Sequence, residues 1–371
     1  MTNNEAWVNK LLELAGIKIN GNNPWDIKIL NQKFYNRVKA EGSLGLGESY
    51  MDGWWNCEKL DEFFYRFLSA KIPDRIGLSL PIIFDILSAK LFNLQAVSRA
   101  FQVGEKHYDL DNKLFSAMLG KTMAYSCGYW RNSKTLDSAQ TAKFDLICKK
   151  LNLKIGQKIL DIGCGWGSLA KYAAKKYKVS VVGVTVSKEQ AEFAKKLCAG
   201  LSVEIRIQDY RDLHEKFDHI VSVGMFEHVG LKNYKTFFEV AKRCLKDNGL
   251  FLLHTIGTLN SRGGTDPWLN KYIFRNGSLP SLSQISLNVK KLFTIEDIHN
   301  FGADYDKTLM AWHKKFLNVW PKFKDNYDNK FFRMWNYYLL SCAGVFRSRN
   351  GQLWQIVLSS NGVAGGYKSV R

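Results

Sequence analysis

The chain is expected to fold as an α/β protein built on a doubly wound parallel sheet, and three features of the sequence point there. Between residues 158 and 254, short apolar runs alternate with stretches of helical periodicity, the signature of strand–helix–strand units. One of those runs leads straight into a glycine turn, KILDIGCGWGS at 158–168. Finally, 371 residues at 46% hydrophobic content suffice for such a core together with a smaller second domain.

Taken in order, residues 5–20 read as a helix with Trp7, Leu11, Leu12 and Ala15 on one face. Residues 24–40 hold short strand candidates, IKIL and FYNRV, and 42–55 (GSLGLGESYMDGWW) reads as a loop leading into a helix over 59–70. Residues 1–75 make a small N-terminal domain whose ten basic and ten acidic residues cancel. Its aromatic residues suit either a membrane interface or a plain core. Pro73 marks the boundary. Residues 76–102 form a helical linker, with Ile82, Ile83, Ile86, Leu87 and Leu91 at helical spacing; it packs on the next domain or lies on a membrane surface.

The catalytic domain is expected to run from 103 to 371. A helix at 137–151 precedes the alternation proper: strand 158–161, helix 168–177, strand 179–184, helix 187–198, strands 203–207 and 219–224, helix 233–246 and strand 249–254. An insertion after 257 shows no strand period. Helices at 306–320 and 328–342 are dense in aromatic residues, among them Trp312, Phe316, Trp335 and Tyr338, which form either core or an apolar tunnel. A closing strand covers 353–359.

The net charge of +19 falls outside the neutral first 75 residues and suits nucleic acid, an anionic membrane surface or an acidic substrate. Lysine pairs at 149–150, 175–176, 195–196, 290–291 and 314–315 supply much of it, and near an anionic bilayer each such residue contributes about 1 kcal/mol. Seven scattered cysteines form no CxxC pair, which fits free thiols in a reducing cytosol and offers no metal-ligand spacing. The opening MTNNEAWVNK is not a secretory signal. The long apolar stretch 76–97 is interrupted by Pro81, Asp85 and Lys90, too often for a membrane span.

In an open α/β sheet, ligands bind beyond the carboxyl ends of the strands. Those ends here are Asp161–Gly167, Thr185–Gln190, Gln208–Tyr210, Gly224–His228 and His254–Ile256. The turn carries Gly163, Gly165 and Gly167 as GxGxG rather than the GxGxxG of dinucleotide sites, which suits S-adenosylmethionine (SAM), a nucleoside without phosphate. The second strand ends on Thr185 instead of the acid that commonly accepts from ribose hydroxyls, so Gln190 or a backbone group must substitute. A lone histidine at a strand end, such as His254, is on its own more often a satisfied core residue.

Several strings together resemble the bacterial cyclopropane-fatty-acyl-phospholipid synthases: GEKHYDL (104–110), YSCGYW (125–130), LDIGCGWGSLA (160–170), VVGVTVSKEQ (181–190), QDYRDL (208–213), VSVGMFEHVG (221–230), LLHTIG (252–257), DPWLNKYIFRNG (266–277) and HNFGADYDKTLMAWHKKF (299–316). The chain is similar also to the mycolic acid cyclopropane synthases, which lack the N-terminal domain. The likeness is close over 100–371 and looser before. It implies a class I SAM-dependent methyltransferase sheet with helical lipid-binding additions. The implied reaction is methylene transfer from SAM to the cis double bond of an unsaturated phospholipid, with S-adenosylhomocysteine released and bound bicarbonate as base. The resemblance assigns the bicarbonate cradle to Cys127, Glu227, His254, Ile256 through its backbone, and Tyr305, and adds Cys342 as a catalytic cysteine. A buried, merely packing role is the alternative for Cys342. For SAM the matched positions are Tyr125, Ser126, Asp161, Gly163, Gly165, Gly167, Thr185, Gln190, Asp209 and Tyr210. A homodimer, cytoplasmic and peripheral on the inner face of the cell membrane, with no nucleic-acid partner, completes the expectation. Competing readings are an RNA methyltransferase, motivated by charge but lacking an RNA-binding signature, and a membrane-binding protein without activity.

Overall fold

A computed structural model of the chain describes residues 2–72, 112–259, 261 and 265–371. The expected linker 76–102, Pro73 and the string GEKHYDL lie outside the described residues. Two compact units are present: one gathers the described residues of 1–92, 264–275 and 305–351, the other those of 93–263, 276–304 and 352–371.

In the first unit, helix Asn3–Leu14 opens with a capping box: the Thr2 hydroxyl accepts from the Glu5 N–H, and the Glu5 carboxylate accepts from the Thr2 N–H at 2.6 Å. Strands β1 (Ile27–Ile29) and β2 (Trp55–Cys57) pair antiparallel. FYNRV, expected as a strand, belongs instead to helix Lys33–Glu41, which buries Phe34 and Tyr35. The glycine-rich stretch expected as a loop is helix Ser43–Met51. Glycine disfavours helices, but close packing requires it here. A Cβ on Gly45 would stand 2.5 Å from the Arg37 carbonyl oxygen, and one on Gly47 would strike the Trp268 ring. Helix Leu60–Ser69 packs against helix Asn329–Arg347, where a Cβ on Gly344 would lie 2.5 Å from the Phe64 Cβ. Trp55, Phe63 and Phe34 are buried, so these aromatics of the N-terminal region form core rather than a membrane face. Trp312, Phe316 and Trp335 are also buried, and Phe316 stacks on Phe332 with centroids 5.7 Å apart.

The second unit holds a seven-stranded sheet of β3 (Lys158–Ile162), β4 (Ser180–Thr185), β5 (Val203–Ile207), β6 (Phe217–Val223), β7 (Leu245–Thr258), β8 (Thr294–Asn300) and β9 (Gly351–Ser359), in spatial order β5-β4-β3-β6-β7-β9-β8. From β5 to β7 the neighbours are parallel, as the alternation predicts, but β8 and β9 run antiparallel. The sheet is therefore mixed, and FTIEDIHN holds a strand that its weak apolar pattern does not reveal. Side-chain alternation divides the core in two. Leu160, Val182, Ile220 and Phe251 pack with Phe237 and Phe238 of helix Tyr234–Cys244. Ile159, Val181, Val221 and Leu252 pack with Ile147 of helix Leu136–Lys150 and Ala173 of helix Ser168–Tyr177. Helices thus cover both faces, and the strand order reverses between β4 and β6 on either side of β3, the place where such sheets bind ligands.

Candidate active site

A cavity of about 220 Å³ opens at the carboxyl ends of β3 to β6. Asp161 and the glycine turn form its floor, and the three glycines differ in role. All have positive φ (82°, 54° and 81°), which only glycine adopts at low cost. A Cβ on Gly163 would meet Met225 at 2.6 Å and one on Gly167 would meet Ala194 at 2.9 Å, whereas one on Gly165 would meet nothing within 4 Å. Gly163 and Gly165 line the cavity; Gly167 does not, and serves instead as the N-cap of helix Ser168–Tyr177, packed on helix Lys188–Leu197.

The other expected cofactor positions line this one cavity: Tyr125, Ser126, Thr185, Gln190, Asp209 and Tyr210. Ser187 caps helix Lys188–Leu197 by accepting from the Gln190 N–H, and the Thr185 hydroxyl donates to the Gln190 carboxamide oxygen at 3.2 Å. Gln190 is thereby held in the cavity wall beside the end of β4. Asp209 is gripped by Arg211, through Nε at 2.8 Å and Nη2 at 2.6 Å. The Tyr210 ring meets Phe237 edge-on at 5.4 Å, and burial pushes its phenol up to about 12. Tyr125 packs on Phe115 at 5.3 Å.

Sequence reading missed Lys143, which also lines the cavity. It sits inside helix Leu136–Lys150, where a lysine normally signals the solvated face. Here it is fully buried and its Nζ donates to the Ser126 Oγ at 2.6 Å. Burial lowers its ammonium to about 7, and burial raises the Asp161 carboxyl to about 7 against the pull of Lys143. Arg211 was missed too, although QDYRDL places it two residues after Asp209.

Four of the six expected catalytic residues lie in the second unit, and none of them lines the cavity. Their chain neighbours Ser126, Met225 and His228 do. Glu227 sits on the turn Phe226–His228 after β6, and His254 and Ile256 sit on the neighbouring β7. The Ile256 N–H, expected to face an anion, donates to the Glu227 Oε1 at 2.7 Å; a buried carboxylate takes the nearest strand-end donor. Among the described residues, Glu227 Oε2 is buried without a hydrogen-bond partner. Burial pushes this carboxyl up to about 7, with the Ile256 N–H opposing. Burial holds the His254 imidazole well below its ordinary value, aided by the cations Lys143 and Lys150, so the ring is neutral. Its Nδ1 faces the Gln355 Nε2 at 3.3 Å while its Nε2, among the described residues, is buried without a partner. The Gln355 carboxamide thus orients the ring through Nδ1 and leaves Nε2 to face another group. Gln355, a polar residue inside the apolar run LWQIVLS, was legible as unusual but not as a partner of His254. Cys127 is buried and its thiol donates to the Gly128 carbonyl at 3.2 Å.

Tyr305 and Cys342 belong to the first unit. Tyr305 is buried, stacked on Phe346 at 4.4 Å and edge-on to Trp312 at 6.0 Å. Burial pushes the Cys342 thiol up to about 12, and Asp266 adds to this, so it is protonated at neutral pH and is no thiolate nucleophile.

The model of the mycolic acid cyclopropane synthetase family matches residues 95–356. The chain is 56% identical over 363 residues to the cyclopropane-fatty-acyl-phospholipid synthase of Escherichia coli K12, covering 98% of this chain and 95% of that one. It is 38% identical to a probable fatty acid methyltransferase of Pseudomonas putida, over 86% of this chain and 80% of that one. Among solved structures, the cyclopropane synthase MmaA2 of Mycobacterium tuberculosis matches with a TM-score of 0.64 at 31% identity, covering 70% of this chain and 97% of that one. The mycolic acid cyclopropane synthase CmaA1, complexed with SAH and CTAB, matches with a TM-score of 0.64 at 34% identity and the same coverage. On the strength of its fold, its strand-end residues and these likenesses, the chain belongs to the mycolic acid cyclopropane synthetase family.

Proposed function

We propose that this protein transfers a methylene group from SAM to the cis double bond of an unsaturated acyl chain in a membrane phospholipid, giving a cyclopropane ring and S-adenosylhomocysteine. One observation supports this above the others. Glu227 and His254, on adjacent strand ends beside the cavity, each bury a polar atom that finds no partner among the described residues. Such atoms are costly unless something completes them.

Family membership supports SAM as methyl donor, and the cavity chemistry agrees. The glycine turn leaves room for a nucleoside to approach at Gly165, Gln190 would accept from the ribose, and Tyr125 and Tyr210 would offer aromatic surface to a sulfonium. An alkene is a weak nucleophile, so donor and acceptor must be aligned away from water. Methyl transfer leaves a carbocation on the acyl chain, and ring closure releases one proton from the new methyl group.

Bicarbonate, when bound, would accept that proton. The donor set fits a small anion that itself carries a proton. His254 would donate through Nε2, Glu227, pushed up to about 7, would accept or donate through Oε2, and the Cys127 thiol becomes available only if it turns from the Gly128 carbonyl. The Ile256 N–H becomes available only if Glu227 turns away from it. Tyr305 keeps the role its resemblance implies as part of this proposal, whereas Cys342, a buried and protonated thiol, takes the packing role and no chemical one.

The membrane partner is read as anionic. Lys175, Lys176, Lys195, Lys196, Lys290 and Lys291 are exposed, whereas Lys150, counted with the surface pairs from sequence, is fully buried beside Asp297 and His299. Among the described residues no helix is long and apolar enough to cross a membrane; peripheral association on the cytoplasmic side is part of the same proposal. A homodimer belongs to the same reading.

Incubating the protein with methyl-labelled SAM and vesicles of unsaturated phosphatidylglycerol tests it. Label should enter the lipid, and proton NMR should show ring signals upfield of ordinary methyls. A methyl branch without a ring, or label entering only added RNA, would refute it.

A further inference from the structure

The reading of the cavity as a SAM site leaves one feature unexplained, the buried amine of Lys143. Its Nζ donates to Ser126 Oγ at 2.6 Å and lies 4.8 Å from the centre of the Phe144 ring. An ammonium carries three N–H donors, and among the described residues no carboxylate comes within ion-pair distance of this one: Asp161 acts on it only at longer range. A buried cation without a contact anion is costly, and a methionine would fill the same volume without that cost. The Ser126 hydroxyl, having accepted from Lys143, keeps its own O–H to donate, and both residues line the cavity.

The chemistry of SAM supplies the missing counter-charge. Its sulfonium and α-ammonium are positive, and its only anion is the α-carboxylate. We propose that Lys143 and Ser126 form the subsite that binds this carboxylate, with Asp161 left to face the α-ammonium. The amino-acid end of the donor is then read by two opposite charges set into the wall, one from helix Leu136–Lys150 and one from β3. Lys143 is a binding residue here, not a participant in methyl transfer.

Calorimetric titration of the purified full-length protein with SAM and with decarboxylated SAM tests the assignment, which rests on the cavity being the SAM site. The wild type should bind SAM at least tenfold tighter than the decarboxylated form, about 1.4 kcal/mol. In Lys143→Met, SAM should weaken at least tenfold while the decarboxylated form changes less than threefold, so the discrimination collapses. Retained binding of that analogue also shows that the variant is folded. Equal weakening of both ligands, or of neither, overturns the assignment. Should Lys143→Met fail to fold, Ser126→Ala carries the same comparison, with the same selective loss expected and an equal loss refuting. A wild type that binds neither ligand overturns the cavity reading itself, an outcome distinct from equal weakening in the variant.

Discussion

Replacing Glu227 by glutamine separates the cost of this carboxyl from its use. The carboxamide keeps the shape and can still accept from the Ile256 N–H, now 2.7 Å from Oε1, but it cannot ionise. Burial moves the carboxyl from its ordinary 4.5 to about 7. At about 1.4 kcal/mol per tenfold, this corresponds to roughly 3 kcal/mol of folding free energy. The acid ionises more readily unfolded than folded. The penalty is therefore absent below pH 4.5, grows as pH rises to about 7 and is constant above. Urea unfolding at pH 8 should find Glu227→Gln more stable than the wild type by up to about 3 kcal/mol, with the advantage gone at pH 4.5. Turnover should be lost while SAM binding, followed by calorimetry, stays within threefold. A stability difference that does not change between the two pH values would refute the burial argument. Retained turnover would refute the role given to the carboxyl in handling the proton.

Other outcomes follow from single contacts. His254→Ala should abolish turnover without weakening SAM binding, measured by lipid labelling and calorimetry, because the proposed reaction uses the ring in proton handling while the ring does not line the cavity assigned to SAM. Gly344→Ala should lower the urea midpoint, by about 1–3 kcal/mol in stability, since its new methyl would overlap Phe64. Cys342→Ala should retain most of the labelling rate, as expected of a protonated thiol; a loss beyond tenfold would restore a chemical role to that sulfur.

The alternation of strands and helices, the glycine turn and the chemistry of the strand ends were legible in the sequence. Each rests on local periodicity or on a residue type with one plain use. Asp161, Gln190, Asp209 and Tyr210 accordingly line one cavity, and Glu227 and His254 stand on neighbouring strand ends. What the linear chain does not carry is who packs against whom. Glycines at 45 and 47 read as a loop until Arg37 and Trp268 are seen pressing on them. Lys150 reads as surface charge, and Lys143 draws no notice, until the fold removes both from water. The N–H of Ile256 reads as a free donor until β6 and β7 bring Glu227 to it. The antiparallel pairing of β8 with β9 joins segments more than 50 residues apart. Desolvation, close approach and strand pairing are properties of groups distant along the chain, so only the tertiary structure decides them, and they set the charge states on which the proposed chemistry depends.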